Sequence, residues 1–172
     1  MPKTNQSNEQ TRLLLVTSLI LLCWAGSSFA ESPIVEIPRL TLNSALKIAK
    51  TALLTCQHKG ISVAVTLLDR GGNVQVILRD TLASDLTLAI SRDKAYTALS
   101  FNTPTADLGE RAKSPLGRMP RMAMFAGGLP IHAGGTLVGA IGVSGAPSGD
   151  TDAICAKAGV DSLQTDLDMA GG

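Results

Sequence analysis

The segment Gly127–Asp150, which reads GGLPIHAGGTLVGAIGVSGAPSGD, restricts the fold more than any other part of the chain. Its Gly134-Gly135 pair supplies the positive φ angles that a two-residue hairpin turn requires, so the segment predicts two antiparallel strands. Alternation divides the second strand into two uncharged faces, one with Leu137, Ile141 and Val143 and the other with Val138, Ala140, Gly142 and Ser144. The second face is small enough for a helix, a neighbouring backbone or a ligand to approach closely.

The loop Gly145–Asp150 leads from this hairpin into a helix whose cap is Ser148 or Asp150. A glycine-rich loop at a helix N-terminus can bind anions. However, no lysine follows it directly as in a phosphate-binding loop, and the spacing of a GxGxxG motif is absent. A capped turn without a ligand is therefore the favoured interpretation.

Residues 1–30 are predicted to be a secretory signal peptide. A polar, basic start is followed by the apolar run Leu13–Ala25, and Ser28 and Ala30 provide the small residues that the cleavage site requires. The apolar run is shorter than the about 20 residues of a membrane span. We therefore expect a mature chain that begins at Glu31, has no stable membrane anchor and resides in the periplasm or outside the cell.

The composition of the mature chain argues against binding to nucleic acid. Its acidic and basic side chains balance, so it lacks the positive field that attracts a phosphate backbone. Its aromatic residues are only Tyr96, Phe101 and Phe125, which provide no platform for base stacking.

The mature chain is predicted to contain a leader over 31–39, one domain over 40–165 and a flexible tail over 166–172. Hydrophobic periodicity and capping signals define the elements of the domain. They predict a helix from Thr41 to Gly60, a hairpin over Ile61–Arg79, a helix from Ser84 or Asp85 to Ser100, a short helix beginning at Thr103-Pro104, and a final helix over Asp152–Leu163.

The irregular segment Lys113–Ala126 combines basic and apolar side chains. Its arginines Arg118 and Arg121 alternate with three methionines, so it could close over an anionic hydrophobic ligand. A solvated loop with methionine as core filler is the favoured alternative. His58 could likewise be either a ligand-binding residue or an ordinary surface histidine. It lies opposite the apolar stripe of the first helix, so the surface role is favoured.

Common catalytic and metal-binding motifs are absent from the sequence. There is no CxxC, HExxH or GxSxG pattern, and Ser144 in GVSGA lacks the elbow of a hydrolase nucleophile. The chain contains only two histidines, His58 and His132, which cannot form a three-histidine metal site.

Taken together, these motifs resemble those of the GlcG/HbpS family of small heme-binding proteins. The resemblance covers Leu40–Leu163 and depends on LTLNSALKIAKTAL, VTLLDRGGNVQVILRD, SRDKAYTALSF and the segment GGLPIHAGGTLVGAIGVSGAPSGD. It implies an α/β (α+β) profilin-like sandwich in which helices pack on a central antiparallel sheet of about five strands. It also implies assembly into dimers or larger rings, a small-molecule ligand, and a relation to the C-terminal domain of PduO-type corrinoid adenosyltransferases.

Heme or a related tetrapyrrole is the ligand that the resemblance implies, with a role in heme handling or redox sensing. The sequence departs from the family at Arg79–Ala83 and in the methionine-rich segment before GGLPI, and no axial ligand is shared across the family. By chemistry, His58 is the first candidate for the iron ligand, followed by Thr97 and His132. Arg118 and Arg121 are the candidates for binding the propionates.

Two other functions remain open at this stage. An enzyme or accessory protein acting on small hydroxy acids such as glycolate would need an acid–base group such as Asp69, Arg79 and Lys94. A ligand-free signalling module is the second alternative, and a binding protein is favoured over an enzyme.

The first and last predicted helices lie on the same side of the sheet in the family fold, so Cys56 and Cys155 could meet. They are the only cysteines that remain after cleavage, and export favours their oxidation to a disulfide. Two separate buried thiols are an equally compatible arrangement.

Overall fold

The structure is a computed structural model, and it describes residues 32–171. The predicted signal peptide, residues 1–30, and the predicted mature N-terminus at Glu31 lie outside the described residues. Residues 32–39 contain neither helix nor strand, and residues 37–171 belong to one compact unit. Within the described residues, no helix combines the length and apolar character that crossing a membrane requires.

Four strands form one antiparallel sheet in the order β2-β1-β4-β3. They are β1 (Ala64–Asp69), β2 (Val74–Arg79), β3 (Gly128–Ala133) and β4 (Thr136–Ser144). The α+β class is confirmed, but the expected number of about five strands is corrected to four in residues 32–171. The connection between Phe101 and Gly128 carries Pro104, Pro115 and Pro120, which interrupt extended pairing, and it forms short helical turns instead.

Within residues 32–171, five α-helices accompany the sheet, and two of them have predicted caps whose side chains make the capping hydrogen bond. The helices are α1 (Leu42–Gln57), α2 (Leu86–Phe101), α3 (Gly109–Ala112), α4 (Gly149–Asp161) and α5 (Gln164–Ala170). Short 3-10 helices span Thr105–Leu108 and Pro115–Arg118. The hydroxyl of Thr41 caps α1 by accepting from Ser44 N, and the hydroxyl of Ser148 caps α4 by accepting from Thr151 N.

The C-terminal residues differ from the predicted flexible tail. Residues 164–170 form α5, whose Leu167 is buried in the main core cluster. The Leu163 carbonyl accepts from Leu167 N at 2.9 Å, so a single turn carries two inward leucines. Burial of this pair stabilises the segment against fraying.

The helices pack on both faces of the sheet. Helices α1 and α4 cover the face that carries Val65, Leu67, Ile141 and Val143, and together they bury the larger core. The Cys56–Cys155 disulfide joins these two helices, with its Cα atoms 5.7 Å apart. Of the two arrangements left open by the sequence, the structure contains the disulfide.

Helix α2 covers the opposite face, where the sequence predicted a close approach. A Cβ at Gly142 would lie 2.0 Å from the Ser91 carbonyl oxygen, so glycine is what allows α2 to lie directly on β4. The hydroxyls of Thr66 and Ser91 pair at 2.8 Å between the sheet and the helix. The occupant of the small face is therefore a helix.

A β-bulge changes the faces predicted for the start of β4. The register shifts between Ile131 and His132, so that Leu137 rather than Val138 lies opposite His132. Val138 consequently joins the core that contains Ile141, whereas Leu137 packs with Ala140 under α2. The simple alternation predicted from the sequence is therefore wrong at these two positions, because the extra residue inverts it.

Candidate functional site

The two ends of the sheet differ in construction, and the candidate site lies at one of them. We define the open end as the end with both hairpin turns, 70–73 and 134–135, and the closed end as the end where β1 begins and β4 finishes. Both register shifts of the sheet, one in the β1–β2 pair and one in the β3–β4 pair, lie toward the open end. Bulges of this kind are over-represented beside functional sites because they redirect side chains.

A cleft of about 390 Å³ lies at the open end, on the α2 side of the sheet. This volume lies within the range of about 300–1,000 Å³ that is typical of small-molecule sites. We call it the Tyr96 cleft, and its lining residues are Arg70, Gly71, Gly72, Tyr96, Leu99, Ser100, Asn102 and Leu137. Leu137 reaches the cleft because of the bulge in β4.

The Asp69 carboxylate holds the hairpin turn that forms one side of the Tyr96 cleft. Its Oδ1 accepts from Gly71 N at 2.8 Å and from Asn73 N at 2.9 Å. Burial raises the pKa of Asp69, but hydrogen bonds from Asn73 and Gly71 and the charge of Arg39 outweigh burial, so its pKa lies below the usual value. Asp69 thus acts as a turn-forming carboxylate whose hydrogen-bonding capacity is used locally.

Arg121 provides a cation beside the cleft. Its guanidinium carbon lies 3.8 Å from the centre of the Tyr96 ring, a stacking geometry typical of cation–π contacts. The buried hydroxyl of Thr97 donates to the Arg121 carbonyl at 3.3 Å and accepts from Ala123 N at 2.8 Å. Thr97 therefore anchors the basic segment on α2, and its hydroxyl is engaged on both sides.

His132 lies next to the cleft and is bonded to one of its lining residues. Its Nε2 donates to Oδ1 of Asn102 at 2.8 Å. Asn102 follows α2 and has left-handed backbone angles, φ 48° and ψ 44°. Within residues 32–171, Asn102 and Arg121 are the non-glycine residues with positive φ, and both flank this cleft. Such conformations are disfavoured for side chains other than glycine and concentrate at functional sites.

The remaining predicted site residues lie elsewhere. His58 is exposed just after α1, in the helical layer on the opposite face of the sheet from α2. Arg118 is exposed in the 3-10 helix that precedes Arg121. Since α1 and α2 cover opposite faces, one subunit does not bring His58 together with Arg121. The structure instead groups Thr97, Arg121 and His132 around the second half of α2.

The closed end contains a buried ion pair that sequence reasoning missed. Nζ of Lys94 lies 2.7 Å from Oδ2 of Asp152 and also donates to the Val143 carbonyl at 3.0 Å. Both side chains are at most 4% exposed. Burial lowers the pKa of Lys94 and raises that of Asp152, while their mutual hydrogen bond opposes both shifts. A lysine that interrupts the apolar pattern of α2 was the sequence signal for this pair.

The acid–base group proposed for an enzyme is not assembled. Asp69 lies at the open end in its turn, whereas Arg79 lies at the closed end and donates to the Ala83 carbonyl. Lys94 is buried against Asp152. Among residues 32–171, no group of three or more His, Cys, Asp or Glu side chains could hold a metal ion.

A second cavity, of about 400 Å³, lies at the open end on the other face of the sheet. Leu40, Val138 and Leu167 give it apolar walls, and Arg39 lies at its edge. The Arg39 guanidinium is 3.5 Å from the Asp69 carboxylate. This cavity has no aromatic ring in its lining and no counterpart of the Asn102–His132 pair, so the Tyr96 cleft is the better candidate site.

Comparison with known proteins agrees with this architecture. The chain belongs to the haem degrading protein HbpS-like family, which it matches over residues 40–161. The crystal structure of HbpS is 39% identical in sequence, superposes with a TM-score of 0.73, and the match covers 76% of this chain and 94% of HbpS. An uncharacterised 15.0 kDa protein encoded between dhaT and dhaS in Citrobacter freundii is 30% identical over 117 residues, 64% of this chain and 82% of that protein.

The PduOC:heme complex shares the fold at lower identity. It is 23% identical, has a TM-score of 0.68, and the match covers 72% of this chain and 94% of PduOC. At this identity the similarity concerns the fold alone.

Proposed function

We propose that this protein binds heme or a related tetrapyrrole in the Tyr96 cleft. The observation that carries the proposal is the grouping, at one cleft, of an imidazole, two guanidinium groups and apolar walls. His132 is hydrogen-bonded to the lining residue Asn102, Arg70 lines the cleft, and Arg121 stacks on Tyr96. These are the three kinds of group that an amphipathic, carboxylate-bearing macrocycle with a central iron requires.

The residues of the cleft fit such a ligand by their chemistry. Neutral imidazole binds heme iron. Arginine pairs with carboxylates through two parallel, charge-assisted hydrogen bonds, so Arg70 and Arg121 would bind the propionates. Tyr96 and Leu137 offer an aromatic ring and an aliphatic side chain to the macrocycle. Arg118, in the same basic segment as Arg121, is a further candidate for a propionate.

When bound, the tetrapyrrole would supply the redox chemistry of its iron, and the protein would supply binding and orientation. The family name refers to haem, and PduOC, which shares the fold, is known as a heme complex. These names support heme as the first ligand to test. A role in heme handling or redox sensing is the corresponding physiological proposal.

His58 remains the alternative iron ligand in an assembly of several copies. It follows α1, whose outer side exposes Leu42, Leu46 and Leu54. Exposed apolar residues of this kind favour self-association. We therefore propose a homo-oligomer, in which a ligand at His58 would lie between subunits. Sedimentation at micromolar concentration should show a species larger than a monomer.

Export to the periplasm or secretion is part of the proposal. It depends on the signal-like sequence of residues 1–30 and agrees with a disulfide between Cys56 and Cys155, because disulfides persist in oxidising compartments. N-terminal sequencing of protein from the producing cells should find Glu31 first. Intact Met1 in the cytoplasm would contradict export.

Titration of the purified protein with hemin, followed by the Soret band, tests the binding proposal. We expect the Arg121→Ala variant to bind hemin about tenfold more weakly, which corresponds to a net loss of about 1.4 kcal/mol of charge-assisted hydrogen bonding to a propionate. Lys157→Ala is the matched control, because Lys157 is an exposed cation on α4, on the opposite face from α2. Absence of a Soret shift in the native protein would contradict the proposal.

A further inference from the structure

The hydrogen bond between His132 and Asn102 determines which ring nitrogen of His132 is available. A side-chain carbonyl oxygen can only accept, so Nε2 of a neutral His132 must carry the proton that Oδ1 of Asn102 accepts. The second nitrogen, Nδ1, then keeps its lone pair. In neutral imidazole the hydrogen bond of one nitrogen selects the tautomer and leaves the other free to bind a metal.

The backbone of Asn102 is constrained in a way that preserves this bond. Its left-handed conformation follows α2 directly, and its N–H donates to the Ala98 and Leu99 carbonyls. Asparagine tolerates this conformation better than most residues, yet glycine is the usual choice at a helix end. Glycine here would keep the backbone and lose the acceptor for His132. The side chain of Asn102 therefore has a role that capping the helix does not explain.

The surroundings of the pair differ from those of the other histidine. Asn102 lines the Tyr96 cleft, and His132 lies opposite Leu137, another lining residue, in the β3–β4 ladder. His58 is exposed in the layer on the other face of the sheet. Of the two, His132 has its ring held by a neighbouring side chain.

We infer that His132 binds the iron of the ligand through Nδ1 and that Asn102 is the positioning residue that holds the imidazole as the Nε2–H tautomer. This inference rests on the proposed function, because it assigns the iron ligand at the same cleft. Hydrogen-bond partners of metal-binding histidines raise metal affinity by about 10- to 100-fold, and their loss is expected to cost a similar factor. Asn102 would act through His132 without touching the iron.

The apoprotein provides the first test, which needs no ligand. Nitrogen-15 NMR of the imidazole rings at a pH where His132 is neutral should identify the Nε2–H tautomer in the native protein. The same tautomer should persist in Asn102→Asp, which retains an acceptor oxygen. In Asn102→Gly, which retains the left-handed backbone but has no acceptor, we expect a mixture of the two tautomers. Native apoprotein in the Nδ1–H form would overturn the inference.

Hemin titration provides the second test. We expect His132→Ala to lose or shift the Soret band of the native complex, Asn102→Gly to weaken binding 10- to 100-fold, and Asn102→Asp to restore it. Lys157→Ala, at an exposed cation on α4, is the matched control and should leave the spectrum unchanged. A Soret band that is lost in His58→Ala but unchanged in His132→Ala would assign the iron to His58. If the native protein binds hemin and His132→Ala has the same spectrum, the inference is wrong while the proposed function stands. If the native protein binds no hemin, both are wrong.

Discussion

The same four strands run through both ends of the sheet, yet the two ends are stabilised by different means. At the closed end, the Lys94–Asp152 pair links α2 to the start of α4, and the Cys56–Cys155 disulfide links α4 to the end of α1. The two cysteines are 99 residues apart in sequence, and closing so long a loop stabilises a fold by on the order of 4–5 kcal/mol in the chain-entropy model. Long-range links therefore concentrate at this end.

The open end has irregular backbone instead. It contains the two hairpin turns, both register shifts, and two cavities on opposite faces of the sheet. It also contains Asn102, whose left-handed backbone carries a side chain that bonds to His132. Strong links at the closed end therefore allow the open end to keep the conformations and cavities that a binding site uses.

Breaking the ion pair of the closed end should have the largest effect. Asp152→Ala leaves the Lys94 ammonium buried without its carboxylate, which should lower the free energy of unfolding by about 3–5 kcal/mol. Urea unfolding measures this change. The double variant Lys94→Met with Asp152→Ala removes the buried charge and should recover part of the loss. A single variant as stable as the native protein would show that the pair does not hold the closed end.

Two glycines with positive φ, one at each end of the sheet, differ in the space around them. A Cβ at Gly127 would lie 2.6 Å from Nζ of Lys94 and 2.8 Å from the Val143 carbonyl oxygen, whereas a Cβ at Gly135 meets no atom within 4 Å. Gly135→Ala should therefore lower the free energy of unfolding only by the cost of placing alanine in a left-handed backbone conformation, about 1–2 kcal/mol. Gly127→Ala should lower the free energy of unfolding by this cost and by a further about 1–3 kcal/mol, because its Cβ overpacks the site.

Urea unfolding of these two alanine variants should reproduce this order. Equal losses of stability at Gly127 and Gly135 would contradict the difference in packing between the two ends.

The turn at the open end should give the smallest effect, visible as a dependence on pH. The pKa of Asp69 is lowered by folding, so its contribution to stability is present above the ordinary value of 3.8 and is lost as the pH falls through the lower value of the folded state. We expect Asp69→Asn to be less stable than the native protein near neutral pH by about 1 kcal/mol. The difference should shrink below pH 3.8. Urea midpoints measured across this range test the sign, and a difference that grows in acid would refute it.

Local signals made much of the fold predictable. The caps Thr41 and Ser148, the Gly134-Gly135 turn and the periodicity of the helices depend on neighbouring residues, so the sequence specifies them directly. The bulge that turns Leu137 into the cleft was not predictable by alternation, because it depends on the pairing of β4 with β3. Helix α5 was missed because its stability comes from burying Leu167 in a distant core.

The candidate site was only partly predictable for the same reason. From the sequence, His132 and Thr97 were proposed as iron ligands and Arg121 as a propionate ligand, and His58 was ranked above His132 and Thr97 by chemistry. It could not show that α1 and α2 cover opposite faces of the sheet, which separates His58 from Arg121. The bonds of Lys94 to Asp152 and of His132 to Asn102 join residues 58 and 30 positions apart, and no local pattern marks either pair. For the His132–Asn102 pair, the usable sequence signal was the position of Asn102 at a helix end, because asparagine tolerates the left-handed conformation there.

The location of the iron in a crystal of the hemin complex is the most direct test of whether the ligand binds in the Tyr96 cleft. Anomalous scattering at the iron absorption edge identifies the metal independently of how the macrocycle is built. We expect one iron peak per chain at the Tyr96 cleft, within bonding distance of Nδ1 of His132. A peak beside His58, on the α1 side of the sheet, would contradict this assignment.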